Sequence, residues 1–215
     1  GYPAYKKTYF SQPPGFLLSV YPGFILFGKT LPAARLTIGI WSIIGRLAII
    51  WIAFELKNKW TGLLAVSLLF LIPFYYNQAL AFQSDVLVTI FSLVSLATLI
   101  IFKKKYYLPW FIISAIFINL AFWTKFDITF FPSFFLALFL LFNEKKISLE
   151  KAIDLFLIFL AVSFGFFILL IIPFGIKEVF YNSILLRFQA ATTSSTSFLL
   201  FDYLKKDVIL SLVMM

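Results

Sequence analysis

Residues 80–102 read LAFQSDVLVTIFSLVSLATLIIF, and Lys103-Lys104-Lys105 follow at once. A polar knot, Gln83-Ser84-Asp85, opens the run, and three lysines close it. Ser84 to Phe102 is 19 residues; as a helix rising about 1.5 Å per residue they span roughly 28 Å, close to the hydrocarbon thickness of a bilayer. The stretch is predicted to cross a membrane. Short lysine-rich connections stay cytoplasmic on insertion, so the lysine end is predicted inside and Asp85 at the external rim.

Composition supports that reading. Of 215 residues, 62% are hydrophobic, 13% are charged and 30 are Phe, whereas soluble domains run nearer to about 45–50% apolar and about 25% charged. A water-soluble fold of this size has no interior large enough for so many rings. The predicted class is an all-α polytopic membrane protein. A membrane barrel does not fit, because the apolar runs are long and continuous rather than short and alternating. The net charge is +9, from 18 basic and 9 acidic residues. The lysines bracket apolar runs, so they serve topology and anionic lipid headgroups rather than nucleic acid. Cysteine and histidine are absent, which excludes disulfides, thiolate metal sites and an imidazole base from this stretch.

Outward from the central run, residues 1–30 are expected to be part of an external loop ending in an interfacial helix. Pro13-Pro14 starts a short apolar run over 15–27, with Pro22-Gly23 expected to kink it. Residues 31–175 form the expected membrane bundle, with spans near 31–54, 60–76, 85–102, 109–124, 128–142 and 152–172. Residues 176–206 are expected as an external loop, and 207–215 as the start of a further span. The chain opens at Gly1 and stops inside an apolar run at Met214-Met215, as expected of an internal piece of a longer protein.

The connections sort by charge. Segments 57–59, 103–105 and 145–151 hold eight lysines, whereas among the short turns of the alternate set only Lys125 is basic. The first set is therefore expected inside the cell. Arg35, Asp85, Lys125 and Asp127 then all fall on the external half, with Lys6 and Lys7 in the N-terminal loop. Each has two readings. Asp85 either caps a helix N-terminus, where the backbone dipole favours negative charge, or orients an acceptor or pairs with a cationic group, Lys125 being the obvious one, in a cleft at the membrane surface. Lys125 either snorkels or holds a phosphate oxygen. Asp127 caps the next span or assists the site. Arg35 either grips a phosphate bidentately or bonds a backbone carbonyl. Arg46 is expected to face the bundle or snorkel, since a charge facing lipid is costly. Lys6, Lys7 and Gln83 are auxiliary candidates. No metal-ligating set is read, and one carboxylate does not decide whether a divalent metal takes part.

Several motifs occur in order along the chain. They are Gly1-Tyr2-Pro3-Ala4-Tyr5, Gln12-Pro13-Pro14-Gly15-Phe16, Phe27-Gly28, Ala33-Ala34-Arg35-Leu36, Gln83-Ser84-Asp85 and Thr124-Lys125. In sequence and spacing they resemble the polyprenyl-phosphate-dependent membrane glycosyltransferases of the C-type fold. That group includes protein O-mannosyltransferases and the aminoarabinose transferase acting on lipid A. The resemblance implies a GT-C bundle in the plasma membrane and transfer of a hexosyl or pentosyl group at the external face, usually with inversion. The implied partners are a polyprenyl-phosphate sugar donor, a glycan, lipid or protein acceptor, and membrane lipids. Asp85 matches the family's second acidic position, Lys125 a phosphate-contacting lysine and Arg35 the family arginine. The principal acidic motif lies in the first external loop, and Gly1 to Phe54 contains no acidic residue, so that carboxylate is expected upstream of Gly1.

Two other classes compete. In a transporter or flippase, Arg35, Arg46 and Asp85 would line a path through the bundle, although no inverted repeat is visible. A non-catalytic membrane scaffold would need none of the external polar residues.

Overall fold

The computed structural model describes residues 13–56, 59–71, 84–126, 134, 135, 138 and 149–181. Among these every element is helical: α1 (Pro14–Phe27), α2 (Leu31–Leu56), α3 (Lys59–Leu71), α4 (Ser84–Lys105), α5 (Leu108–Thr124), α6 (Leu149–Phe174) and α7 (Ile176–Phe180). One compact unit, Gln12–Pro173, holds α1 to α5 and α6 as far as Pro173. The other combines Gly1–Ser11 with Phe174–Met215. In that second unit α7 follows Gly175, whose φ of 83° suits only glycine, and the Glu178 carboxylate folds back over it.

The helices α2, α4 and α6 are long and apolar enough to cross a bilayer. The most apolar stretch of α4 is 72% buried inside the bundle, against 28% for α2 and 17% for α6. The run with which the sequence reading began is thus the central pillar, and its neighbours turn apolar faces toward lipid. α4 packs on α5 along one side and on α2 along another. Between α4 and α5, Ser95 Oγ lies 2.9 Å from the Ser114 carbonyl, and Ser114 Oγ donates to the Ser95 carbonyl at 2.7 Å. Small hydroxyl residues of this kind let membrane helices approach closely and leave no polar group facing hydrocarbon. Below them Leu99, Phe102, Phe111, Phe134, Leu155 and Phe159 form the apolar core.

The contacts fix the directions of α2, α4, α5 and α6. Glu55 near the end of α2 pairs with Lys104 near the end of α4, so these two run parallel. α5 returns antiparallel and brings Lys125 to the start of α4. α6 places Leu155 among the core residues near the lysine end, and Phe167 against Trp123 near the other. Two ion pairs therefore mark opposite ends of a single bundle.

Several helices outrun their expected limits. α2 continues to Leu56 and α4 through Lys105, so the three lysines lie in the last helical turn instead of a connection. Lysine is a good helix former, and cations stabilise the carbonyl end of a helix. α6 begins at Leu149, inside the charged segment, with Glu150 in its first turn, and runs through Pro173. The expected second span is described to Leu71, and the span at 128–142 only at Phe134, Phe135 and Leu138. Residues 1–12, 182–206 and 207–215 lie outside the described residues, so the N-terminal loop, the remainder of the expected external loop and the further span do too.

The Glu55–Lys104 pair is asymmetric: the glutamate side chain is 10% exposed and the lysine 56%. Removing the lysine strands a nearly buried carboxylate, whereas removing the glutamate leaves an ammonium in reach of water. Lys104→Ala is therefore expected to destabilise the folded protein by about 1–3 kcal/mol, the penalty of an unsatisfied buried polar group, and Glu55→Ala by clearly less. Thermal unfolding of both variants in detergent checks this; equal losses would contradict it.

Candidate functional site

Asp85 stands in the first turn of α4 and Lys125 caps the end of α5. The Lys125 ammonium donates to Asp85 Oδ1. Both helix ends create this meeting. A carboxylate complements the positive end of the α4 dipole. At the end of α5, the backbone N–H of Lys125 still reaches the carbonyls of Ala121 and Phe122, at 3.3 and 3.2 Å, while its φ of −151° turns the chain out of the helix. Thr124, fully buried, donates its hydroxyl to the Leu120 carbonyl at 2.6 Å and anchors the last turn. The pair itself remains open to solvent, with the lysine side chain 45% and the aspartate 62% exposed. Water and substrate can reach both groups.

α1 lies against this end of the bundle. Pro13 stands extended before it, with Pro14 already pre-set for the first turn. Gly15 sits on the backbone of Trp123, where an added Cβ would come within 2.5 Å of the Trp123 carbonyl carbon. Gly23 sits on Thr37 of α2, where a Cβ would overlap Thr37 Oγ1. Pro22 removes one rung of the α1 ladder. In the neighbouring turn the Trp41 indole N–H donates to the Ser19 carbonyl at 2.9 Å. Trp41 also meets Phe91 of α4 edge-on, with ring centroids 5.2 Å apart, and Phe117 of α5 at 6.3 Å. An aromatic floor under the ion pair thus ties α1, α2, α4 and α5 together. In the sequence Trp41 is one tryptophan within an apolar run, and nothing in its neighbours points to Ser19, 22 residues before it.

Arg35 lies in the second turn of α2 at the same end of the bundle and is exposed. Among the described residues no hydrogen bond or ion pair joins it to Asp85 or Lys125. Arg46 is half-buried further along α2. Lys6, Lys7, Gln83 and Asp127 lie outside the described residues. Among those described, no three acidic, histidine or cysteine side chains gather as metal ligands.

Neither the curated proteins nor the solved structures yield a match to the chain. A family comparison does: the model for dolichyl-phosphate-mannose-protein mannosyltransferases matches residues 11–175, which take in α1 through α6. The chain belongs to the dolichyl-phosphate-mannose-protein mannosyltransferase family and is an integral membrane glycosyltransferase with an all-α, GT-C-like bundle.

Proposed function

We propose that the chain moves a hexosyl or pentosyl group from a polyprenyl-phosphate donor to a hydroxyl of a glycan, lipid or protein, at the external face of the plasma membrane. The observation that carries the proposal is the solvent-open Asp85–Lys125 pair, at the end of the bundle opposite the lysine-rich end of α4. Family membership supports a lipid-linked sugar as donor. The placement of lysines supports the orientation, because basic connections are retained inside.

In this reading the donor phosphate approaches from the lipid phase and takes the Lys125 ammonium, which releases Asp85. The acceptor oxygen then bonds to the anomeric carbon from the opposite side as the bond from that carbon to the phosphate oxygen breaks. The electron pair leaves with the phosphate, whose growing charge Lys125 stabilises most in the transition state. The acceptor proton passes to the Asp85 carboxylate. Arg35, at the same end of the bundle, is a second phosphate contact, and Lys6, Lys7, Gln83 and Asp127 are auxiliary groups.

A charge exchange separates this role from a structural one. Asp85→Lys combined with Lys125→Asp preserves an exposed ion pair between α4 and α5. The exchanged protein is expected to fold and to lose at least about 100-fold in transfer from a lipid-linked donor in proteoliposomes. Transfer at the native rate by the exchanged protein would reduce the pair to a structural clasp.

A further inference from the structure

Over its first two turns α4 shows one open face. Between Ser84 and Phe91 only Asp85 and Thr89 are exposed. Ser92, Leu93 and Leu96, further along, are half-buried. These five residues recur at the spacing that keeps side chains on one face of a helix. Thr89 Oγ1 donates to the Asp85 carbonyl at 3.0 Å, and Ser92 Oγ to the Val88 carbonyl at 2.9 Å. Both hydroxyls are thus satisfied by their own helix, and below the ion pair the face suits an apolar chain. It leads into a cleft of about 350 Å³ between α2, α3 and α4. Leu93 and Leu96 line one side of the cleft, Ile49, Ile52 and Leu56 of α2 another, and Thr61 in the first turn of α3 joins them.

Depth decides what fills the cleft. At about 1.5 Å per residue, Leu93 and Leu96 lie roughly 12 and 17 Å along the helix from Asp85. Leu56 adjoins Glu55, whose partner Lys104 lies roughly 28 Å from Asp85 along α4. A lipid of ordinary acyl length held at the external surface fills half of the hydrocarbon layer, about 15 Å, so its tail ends where the cleft begins. A long polyprenyl tail continues through it. We propose that the cleft receives the distal isoprene units of the donor and so selects donors by tail length, which rests on Lys125 as the phosphate contact proposed above. The proximal units lie along Thr89 and Ser92. The tail is among lipid whether bound or free, so the gain comes from close packing of branched units against leucine and isoleucine rather than from leaving water. An acyl chain rising from the leaflet at the lysine end is the competing occupant, and it gives no selection by donor tail length.

The test counts lipid bound to the purified full-length protein in detergent by native mass spectrometry. The probes are undecaprenyl phosphate, whose tail crosses the layer, and farnesyl phosphate, whose tail stops near mid-depth. The readout is the ratio of the two affinities in each variant relative to the native chain, so unequal partition of the lipids into micelles cancels. Leu93→Trp is expected to weaken undecaprenyl phosphate about tenfold and to leave farnesyl phosphate unchanged. Thr61→Trp, at an exposed position that tolerates bulk, is expected to do the same from the α3 side. Lys125→Ala is expected to weaken both lipids alike and to keep the ratio. Circular dichroism and size exclusion confirm that each variant counted is folded. A native ratio in the folded tryptophan variants, or equal weakening of both lipids by them, would overturn the proposal. Unchanged binding of both lipids by Lys125→Ala would instead strike the phosphate contact, and is told apart because the ratio still falls in the tryptophan variants.

Discussion

Lys125→Ala is expected to lower the rate of sugar transfer by about 10²–10³-fold, the loss that follows removal of one pre-positioned charge from a developing anion. Asp85→Asn, which keeps the shape of the side chain but cannot take a proton, is expected to lose about 10²–10⁴-fold. The two variants should differ in kinetic character. Lys125→Ala raises the donor KM as well as lowering kcat, because the ammonium touches the phosphate in ground and transition states alike. Asp85→Asn acts on kcat, since the proton moves only as the acceptor bond forms. Lys125→Arg should recover part of the loss, as it restores the charge with a different geometry. The exposure of both side chains, 45% and 62%, makes the fold a sensitive control. An exposed pair contributes only about 0–1 kcal/mol, so both variants should unfold close to the native temperature. The double variant should be little worse than the more damaging single one, because groups that serve one step are not additive. Folded single variants that transfer at near-native rates would remove Asp85 and Lys125 from the reaction.

The architecture of α4 was readable because charge punctuates both of its ends. The Asp85–Lys125 contact was readable only in part. Sorting lysines by connection places both residues at one end and makes Lys125 the obvious cation for Asp85, but it gives no geometry for their meeting. What joins them is chain length. Asp85 lies 20 residues before Lys105, and Lys125 lies 17 after Leu108, with only Tyr106 and Tyr107 between the helices. At about 1.5 Å per residue the two arms come to roughly 30 and 26 Å, so a tight antiparallel hairpin returns the lysine to the aspartate. Tyr106 makes that hairpin by adopting a φ of 50°, uncommon for a residue with a side chain. The Glu55–Lys104 pair is not legible in the sequence because both residues fall in expected connections. The contact needs α2 and α4 to remain helical through them. The seat of α1 was hidden for a different reason: a glycine marks a close approach without naming the neighbour it approaches.

That seat gives the largest expected effect on the fold. Gly15→Val should detach the first half of α1 and abolish transfer together with stability. Its Cβ would lie 2.5 Å from the Trp123 carbonyl carbon and 2.6 Å from the carbonyl oxygen. Both are backbone atoms in the last turn of α5, held by the Thr124 and Lys125 hydrogen bonds to Leu120, Ala121 and Phe122. They cannot rotate away as a side-chain tip would, so relief requires a helix to move. Overpacking of a tight contact costs about 1–3 kcal/mol when side chains absorb it, and a rigid backbone wall puts Gly15→Val at or beyond the upper end. Gly23→Ala collides chiefly with Thr37 Oγ1, an atom on a removable side chain. Thr37→Ala should therefore rescue Gly23→Ala in part, since the Thr37 Cβ would still stand 2.9 Å from the new methyl, and should not rescue Gly15→Val, which collides with Trp123. A double-mutant cycle on thermal stability reads the difference as a favourable coupling for the first combination and none for the second. Because α1 borders the end of the bundle that carries Asp85 and Lys125, transfer should follow the same order. If Gly15→Val kept native stability and native transfer, α1 would not be seated on Trp123, and the wall it supplies beside the ion pair would have to come from elsewhere in the chain.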